Sequence, residues 1–334
     1  MPQFGVSHLP NMGSHVLDFE FNAGVDSIDA MDDFVSLEEH EQPDNVFSVV
    51  KADLMLTKAL SAAQLSPPAQ SRLNYAIEQV KLAPTMMAKQ NHTVWSHPFL
   101  YAEHMPRCVQ DAQSACALYL LRNDTNVVFL ARYINDHVQD IMGSPIPSST
   151  FELLAQIHAL MLYQIIRIFS DDIRFHYFSD GASVRLQDAG LALYTLLQHE
   201  VDPIGPLPVY PSDAARAAWR SFIFRESARR TLLSLFQFIS VSTILHGDNP
   251  ACCPELALTN RVTFSSHLWS APSAFDFAMA WNQKNHFLVR GLDVAELLES
   301  AQPDDIDVFG RVILTGMLGI DDVKGWFHTK GGAF

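Results

Sequence analysis

The chain has 334 residues, of which 48% are hydrophobic and 18% charged, so it can bury a large core. Asp and Glu number 37 against 22 Lys and Arg, which gives a formal net charge of −15, and such a surface repels phosphate backbones. This balance predicts that the chain does not bind DNA or RNA directly.

Targeting signals are also absent from the sequence pattern. The first residues show no secretory signature, and the most apolar run, 232–245, is short and interrupted by polar residues. No basic run is longer than Arg229-Arg230, so no nuclear import signal is evident. We expect an intracellular protein with no membrane segment.

Residues 1–50 differ in composition from the rest of the chain. They carry ten acidic side chains and no Lys or Arg, with Phe and Leu set between the acids. Such a segment repels itself, and we predict that it is disordered alone. The composition is typical of an activation segment, whose apolar side chains stay exposed for a partner, and equally of a solvated tail with no specific role.

Helical patterns begin at about residue 52. Ser66 and Pro67 form a typical helix start, and apolar residues then recur at helical spacing until Pro84. Residues 107–123 predict a second packed helix with one apolar side. The same spacing continues in a predicted stripe of Phe129, Tyr133, His137 and Ile141.

A long central helix is predicted over 151–169, starting with a capping box of Ser149 and Glu152. A further helix is predicted over 181–199. Residues 202–213 hold four prolines, which a helix cannot cross, so we predict a connector there. The stripe expected to be buried on the long helix is Leu154, His158, Met161, Ile165 and Ile168.

The next predicted helix starts near Trp219 and runs to about Leu245. Glu226 and Arg230 stand one turn apart in it, and as an exposed pair they would contribute about 0.3–0.5 kcal/mol. No long alternating run indicates a strand, so the predicted fold class is all-α. After a loop at 247–266, the remaining predicted helices are 273–284, 293–300 and 304–318, the last ending at Gly319.

Few residues suit a metal or redox site. Four cysteines are too few for a disulfide framework in a chain of this length, which predicts a reducing compartment. Two of the four are adjacent and lie far in sequence from the others, so no structural zinc site is predicted. Three nearby histidines lack the i, i+4 spacing of a metal-binding helix. These residues are Cys108, Cys116, Cys252 and Cys253, and His92, His97 and His104.

Two acidic pairs invite comparison with terpene synthases, whose carboxylates hold magnesium and diphosphate in a helical cavity. The first magnesium motif of those enzymes needs a third carboxylate, and none follows Asp171-Asp172. The second motif would begin at Asn135-Asp136 and needs a hydroxyl side chain at the position of Gln139. The chain also has no nucleophile elbow, P-loop or dinucleotide-binding fingerprint. We therefore predict no catalytic, cofactor-binding or metal-binding residue, no cofactor and no enzymatic activity.

Several stretches resemble the regulatory region that follows the zinc cluster in fungal pathway-specific transcription factors. The most specific stretch is 218–238, where Trp219, Glu226-Ser227 and Arg229-Arg230-Thr231 occur in that order. We interpret Trp219, Glu226, Arg229 and Arg230 as a packing face with an ion pair rather than as ligand contacts. The other stretches are 105–124, 152–172, 268–283 and 303–327, and together they cover most of 50–330.

This resemblance implies a helical domain over 51–330 that is similar to the fungal transcription factor middle homology region. It implies a nuclear regulator of a secondary-metabolite gene cluster, acting through protein partners as a homo- or heterodimer, with a small molecule as a further candidate ligand. Those regulators carry a six-cysteine zinc cluster ahead of this region, and this sequence has none. DNA would then be reached through another protein or through an omitted N-terminal part.

Two other interpretations stay open. The chain can be a metabolite-binding protein or an atypical pathway enzyme that keeps the same helical fold. It can also be a scaffold or inhibitor that dimerises with a complete regulator.

Overall fold

The computed structural model of the protein describes residues 65–176, 181–246, 255–258 and 261–334. The acidic segment over 1–50, the predicted domain boundary at residue 51, and the pair Cys252 and Cys253 lie outside the described residues. Those predictions therefore stay predictions.

The described part of the chain is mainly helical, which confirms the all-α fold class. The helices up to the connector are α1 (Pro67–Lys81), α2 (Ala83–Gln90), α3 (Arg107–Leu120), α4 (Val127–Gly143), α5 (Thr150–Phe169), a 3-10 turn (Ile173–Phe175) and α6 (Ala182–Leu197). After the connector come α7 (Asp213–His246), α8 (Glu255–Leu258), β1 (Arg261–Thr263), α9 (Ser266–Trp269), α10 (Ala274–Gln283), β2 (Leu288–Arg290), α11 (Ala295–Ser300), a 3-10 turn (Pro303–Asp305), α12 (Val308–Leu318) and α13 (Ile320–Thr329).

The predicted start of α1 is confirmed. The Ser66 side chain accepts a hydrogen bond from the backbone N–H of Ala69 at 3.5 Å, and Pro67 occupies the first helical position, where no N–H is needed. The helix ends at Lys81, and Pro84 lies in the first turn of α2. Proline thus starts a second helix here instead of only stopping the first, because a first-turn residue needs no intrahelical N–H bond.

The predicted stripe on α4 is correct at Ile141 and wrong at its other three positions. Phe129 is 60% exposed, and Tyr133 and His137 are only half-buried. A shift of one residue turns the face by about 100°, which brings the branched aliphatic side chains inward. The buried residues are Val127, Leu130, Ile134, Val138 and Ile141.

Helix α5 is the centre of the fold and packs against α1, α2, α3, α4, α6 and α7. It buries 14 of its 20 residues, so it is apolar on nearly every side. Ser149 is its N-cap, but the predicted capping box is not formed, since the serine side chain makes no capping hydrogen bond. Among the described residues this helix alone is long and apolar enough to cross a membrane, and 78% of that stretch is buried inside the fold.

Helix α7 is the second long element and begins at Asp213, earlier than predicted. Its 34 residues extend over about 50 Å and pack against α1, α5, α6, α8, α10 and β1. The amino-terminal part joins α9 and α10 in a small apolar cluster around Phe222, Leu268 and Phe277. The connector before it has no helix, as predicted.

The carboxyl-terminal third holds the elements that the sequence prediction missed. Strands β1 and β2 pair antiparallel, with Arg261 opposite Arg290. Gly319 ends α12 as predicted, with a φ of 96°, and α13 then follows, burying Val323 and Phe327. Three-residue strands show no readable alternation, which explains why the sheet was not predicted.

Candidate functional site

The most enclosed charges in the described residues lie on α7. Arg230 Nε is 3.1 Å from Glu226 Oε1, and their side chains are 0% and 1% exposed. The predicted ion pair is confirmed, and both side chains are buried. In a buried place the pair carries a desolvation cost, and losing one partner would leave an uncompensated charge.

The Arg230 guanidinium is held on every side. It donates to the backbone oxygen of Thr263 at 2.8 Å, and its Nη1 lies 2.6 Å from Oδ2 of Asp307. Its central carbon stands 3.7 Å from the ring centre of Trp269 and 4.7 Å from that of Phe309, so both rings stack on the cation. The arginine therefore joins α7 to β1, α9 and α12.

The two carboxylates beside Arg230 have further structural tasks. Glu226 Oε1 accepts a hydrogen bond from the Thr263 N–H at 2.9 Å, and Asp307 Oδ1 accepts one from Gly310 N–H at 2.8 Å at the start of α12. Burial raises the pKa of Glu226, although the charges of Arg230 and Arg229 oppose that shift. Through these contacts the cluster ties α7 to β1 and α12.

A second charge cluster lies one turn away, at the edge of the Pro-rich connector. Asp202 Oδ1 is 2.9 Å from Arg229 Nη1 and 3.3 Å from Arg225 Nε. Its other oxygen is 3.1 Å from Arg261 Nη2 in β1. One carboxylate is thus shared by three guanidinium groups, two of them on adjacent turns of α7.

The charges of this cluster act on one another. Burial acts to raise the pKa of Asp202, but the hydrogen bond from Arg229 and the charges of Arg229, Arg261 and Arg225 outweigh it and lower that pKa. The pKa of Arg225 is itself lowered by burial, against the opposing charges of Asp202 and Glu200. Its Nη2 has no hydrogen-bond partner among the described residues.

Beside this cluster lies a cavity of about 610 Å³ between the connector, α7, α10 and the small sheet. This volume falls within the range of small-molecule pockets, which are mostly apolar with a few placed polar groups. Its apolar walls are formed by Val201, Pro203, Ile204, Pro206, Phe222, Leu268, Trp281 and Leu288. Its charged lining residues are Asp202, Glu226, Arg229, Arg261 and Arg290.

The residues considered for metal binding have other roles. His97 is buried, its Nε2 lies 2.8 Å from the backbone oxygen of Trp269, and its Nδ1 accepts from Phe99 N–H at 3.1 Å. Burial lowers its pKa to about 4, so it is neutral near pH 7. His92 is half-buried and His104 is exposed. In the described ranges, no group of three His, Cys, Asp or Glu side chains could hold a metal ion.

The cysteines in the described residues behave as structural thiols. Burial raises the pKa of Cys108 to about 11 and that of Cys116 to about 12, so neither forms a thiolate near pH 7. Both pack in or against the main core. They offer no reactive nucleophile.

The two acidic pairs compared with magnesium motifs are also explained locally. Asp171 pairs with Arg122 at 2.9 Å, and Asp172 pairs with Arg174 at 2.7 Å near the surface. Asn135-Asp136 lies in the middle of α4.

Sequence analysis found Arg229 and Glu226 but missed the convergence on Asp202. Asp202 and Arg261 are far apart in sequence, and the strand that carries Arg261 was not predicted. One signal was available, since Arg225 and Arg229 are four residues apart in α7 and so lie on the same side of the helix. Arginines at that spacing on a buried face need a shared acid.

The described residues form a helical fold in which buried charges join the elements, and a cavity lies beside the cluster around Asp202. No protein-family model and no solved structure matches the chain. The chain is similar to "Transcription factor gsfR2" of Penicillium aethiopicum, with 24% identity over 323 residues, covering 95% of this chain and 75% of that protein. This similarity supports a fungal transcription factor and thus a transcriptional regulator.

Proposed function

We propose that the chain regulates the transcription of a fungal secondary-metabolite gene cluster and acts in the nucleus. The observation that carries the proposal is the similarity to a transcription factor along 95% of the chain, which runs through the whole helical body. The resemblance of residues 218–238 to the regulatory region of fungal zinc-cluster factors points the same way, since those residues form the buried centre of α7.

The proposed mode of action is through protein partners and without catalysis. A net charge of −15 disfavours direct contact with DNA, so a DNA-bound regulator or the transcription machinery is the expected partner. The buried polar clusters around Arg230 and His97 are engaged in packing, which supports a binding rather than a catalytic role. The chain would act as a homodimer or together with a complete regulator.

The proposal can be tested with a promoter-tethering assay on the full chain. The chain is fused to an unrelated DNA-binding domain and expressed with a reporter gene that carries the matching sites. An activator raises reporter expression over the DNA-binding domain alone. If the fusion leaves expression unchanged while it is present in the nucleus at normal level, the activator form of the proposal is wrong.

A metabolite-binding protein or atypical pathway enzyme is a second candidate, and the cavity beside Asp202 favours it. Its apolar walls and charged edge suit a small ligand. Incubating the purified chain with intermediates of the neighbouring pathway separates the two candidates. Turnover of an intermediate would favour the enzyme, and the absence of turnover together with reporter activation would favour the regulator.

A further inference from the structure

The Pro-rich connector between α6 and α7 presents apolar side chains to solvent. Ile204 is 93% exposed and Tyr210 is 90% exposed, the two highest values among the large hydrophobic side chains of the described residues. Pro206 and Pro208 are exposed as well. Scattered exposed apolar residues are common, but several on one short segment are typical of a surface that contacts another protein.

The composition of the connector restricts its backbone. Residues 203–212 contain four prolines and no charged side chain. Each proline fixes its own φ at about −65°, and Leu207 is held in the extended region because a proline follows it. The segment accordingly contains no helix or strand. Extended Pro-rich segments of this kind are ligands for grooves lined by aromatic rings, such as those of WW and SH3 domains.

The order of the side chains distinguishes between these two kinds of groove. Residues 207–210 read Leu-Pro-Val-Tyr, so Tyr210 follows Pro208 by two residues. A proline followed at this distance by a tyrosine is the ligand pattern of WW domains, whose groove takes the proline ring and whose adjoining pocket takes the tyrosine ring. SH3 ligands carry a Lys or Arg beside their prolines, and residues 203–212 have neither. The segment therefore fits a WW groove.

The connector is attached to α10 just before this motif. The Trp281 indole donates to the Gly205 oxygen at 3.1 Å. The backbone of Leu207 exchanges two hydrogen bonds with the Asn282 side chain, at 2.8 and 2.9 Å. Beyond this attachment, the backbone of residues 208–211 makes no hydrogen bond with other described residues, so its polar groups are available to a partner. A segment that is already held loses less conformational entropy on binding than a disordered peptide does.

We propose that residues 206–210 form a docking segment for a WW domain of a partner protein. Pro208 enters the aromatic groove of that domain, and Tyr210 enters the adjoining pocket. Both side chains are exposed in the structure, so the domain can reach them without unfolding the chain. A tyrosine ring suits such a contact because it buries a large apolar area and loses little conformational entropy.

A role of this contact in gene regulation rests on the proposed function, but binding itself does not. Binding is measured by biolayer interferometry with the purified full chain and two sets of purified domains. One set holds WW domains that accept a proline followed two residues later by a tyrosine, and the other holds SH3 domains. We expect the chain to bind WW domains and no SH3 domain. Binding to none of the WW domains, or to SH3 domains alone, would overturn the proposal.

Three variants locate the contact. Tyr210→Ala removes a side chain that is 90% exposed, so the fold is retained, and it should weaken WW binding at least about tenfold. Pro208→Ala removes the ring that fills the groove and should weaken binding by a similar factor. Phe129→Ala removes an aromatic ring that is 60% exposed on α4 and should leave affinity unchanged. If Tyr210→Ala binds as tightly as the unaltered chain, the contact lies elsewhere and the proposal is wrong.

Hydrogen exchange of the unaltered chain gives a readout that does not depend on variants. A bound WW domain should slow amide exchange at Val209 and Tyr210 and leave exchange in α4 unchanged. Unchanged exchange at Val209 and Tyr210 in the complex would contradict docking at this segment. These experiments use no promoter or reporter, so their failure leaves the regulator proposal standing, and a failed reporter assay leaves the binding proposal standing.

Discussion

At the scale of single residues, the structure depends most on charges that have no access to water. In Arg230→Met, Glu226 and Asp307 would remain buried without their cation. Removing one partner of a buried ion pair costs about 3–5 kcal/mol of unfolding free energy. We expect urea denaturation to show a loss of this size.

The matched control is Arg107→Met, which breaks an i, i+4 pair with Asp111 at 3.0 Å, in which the arginine side chain is 82% exposed. Such pairs contribute about 1 kcal/mol or less. If both variants lose the same unfolding free energy, the buried Arg230 cluster does not stabilise the fold more than an exposed ion pair does.

His158 gives the fold a pH dependence. Tyr101 donates to its Nδ1 at 2.8 Å, and its Nε2 donates to Thr231 Oγ1 at 2.7 Å, because the threonine hydroxyl hydrogen is used on Ser227 O. Burial lowers the pKa of His158 to about 3, so the folded chain holds a neutral imidazole.

In the unfolded chain, His158 becomes protonated when the pH falls below its ordinary pKa of about 6.5. In the folded chain, the same residue stays neutral until the pH falls to about 3. Stability should therefore fall as pH drops through this window, by about 1.4 kcal/mol per pH unit from this residue. Chemical denaturation at pH 4.5 and 7 measures the loss. His158→Gln should show a flatter dependence than the unaltered chain, whereas His199→Gln, at an exposed position, should not.

At the scale of elements, close packing of α12 is the testable feature. A Cβ added at Gly310 would stand 2.9 Å from Ile306 Cγ2 and from Phe264 Cγ, and 3.0 Å from Phe264 Cβ, which lies next to the backbone and cannot move easily. Gly310→Ala should cost about 1–3 kcal/mol through overpacking. Gly325→Ala, in α13 with no atom within 4 Å, should stabilise by about 0.5–1 kcal/mol. Thermal melts of both variants check the signs, and two shifts in the same direction would contradict this packing.

Most helices could be predicted because their starts and ends are local. Ser66 with Pro67 marks the beginning of α1, and Gly319 marks the end of α12 by its left-handed φ. The predictions that failed concern features that depend on residues far away in the sequence. Which face of α4 is buried is decided by the helices around it, and the strand pair that carries Arg261 and Arg290 forms only when both segments meet.

The candidate site was predictable only in part for the same reason. Sequence spacing correctly paired Glu226 with Arg230, since both lie on one helix face. It could not show that they are buried, because the covering residues come from β1, α9 and α12. The cavity likewise joins the connector to segments more than fifty residues away, so no local pattern in the sequence describes it.

At the scale of the whole molecule, two long helices organise the described part of the chain. Helix α5 is enclosed by its neighbours, and α7 carries both charge clusters along its length. The Arg230 cluster fixes α7 against the carboxyl-terminal elements, whereas the Asp202 cluster holds a connector with exposed apolar residues.

Deletion of the gene measures the proposed regulation of transcription in the organism itself. Transcripts of the proposed target genes, biosynthetic genes for a secondary metabolite, are measured by quantitative sequencing, with the unaltered gene restored as a control. We expect lower transcript levels after deletion and recovery on restoration, whereas higher levels would indicate the inhibitor interpretation. Unchanged transcript levels under conditions in which the chain is expressed would contradict the proposed regulation.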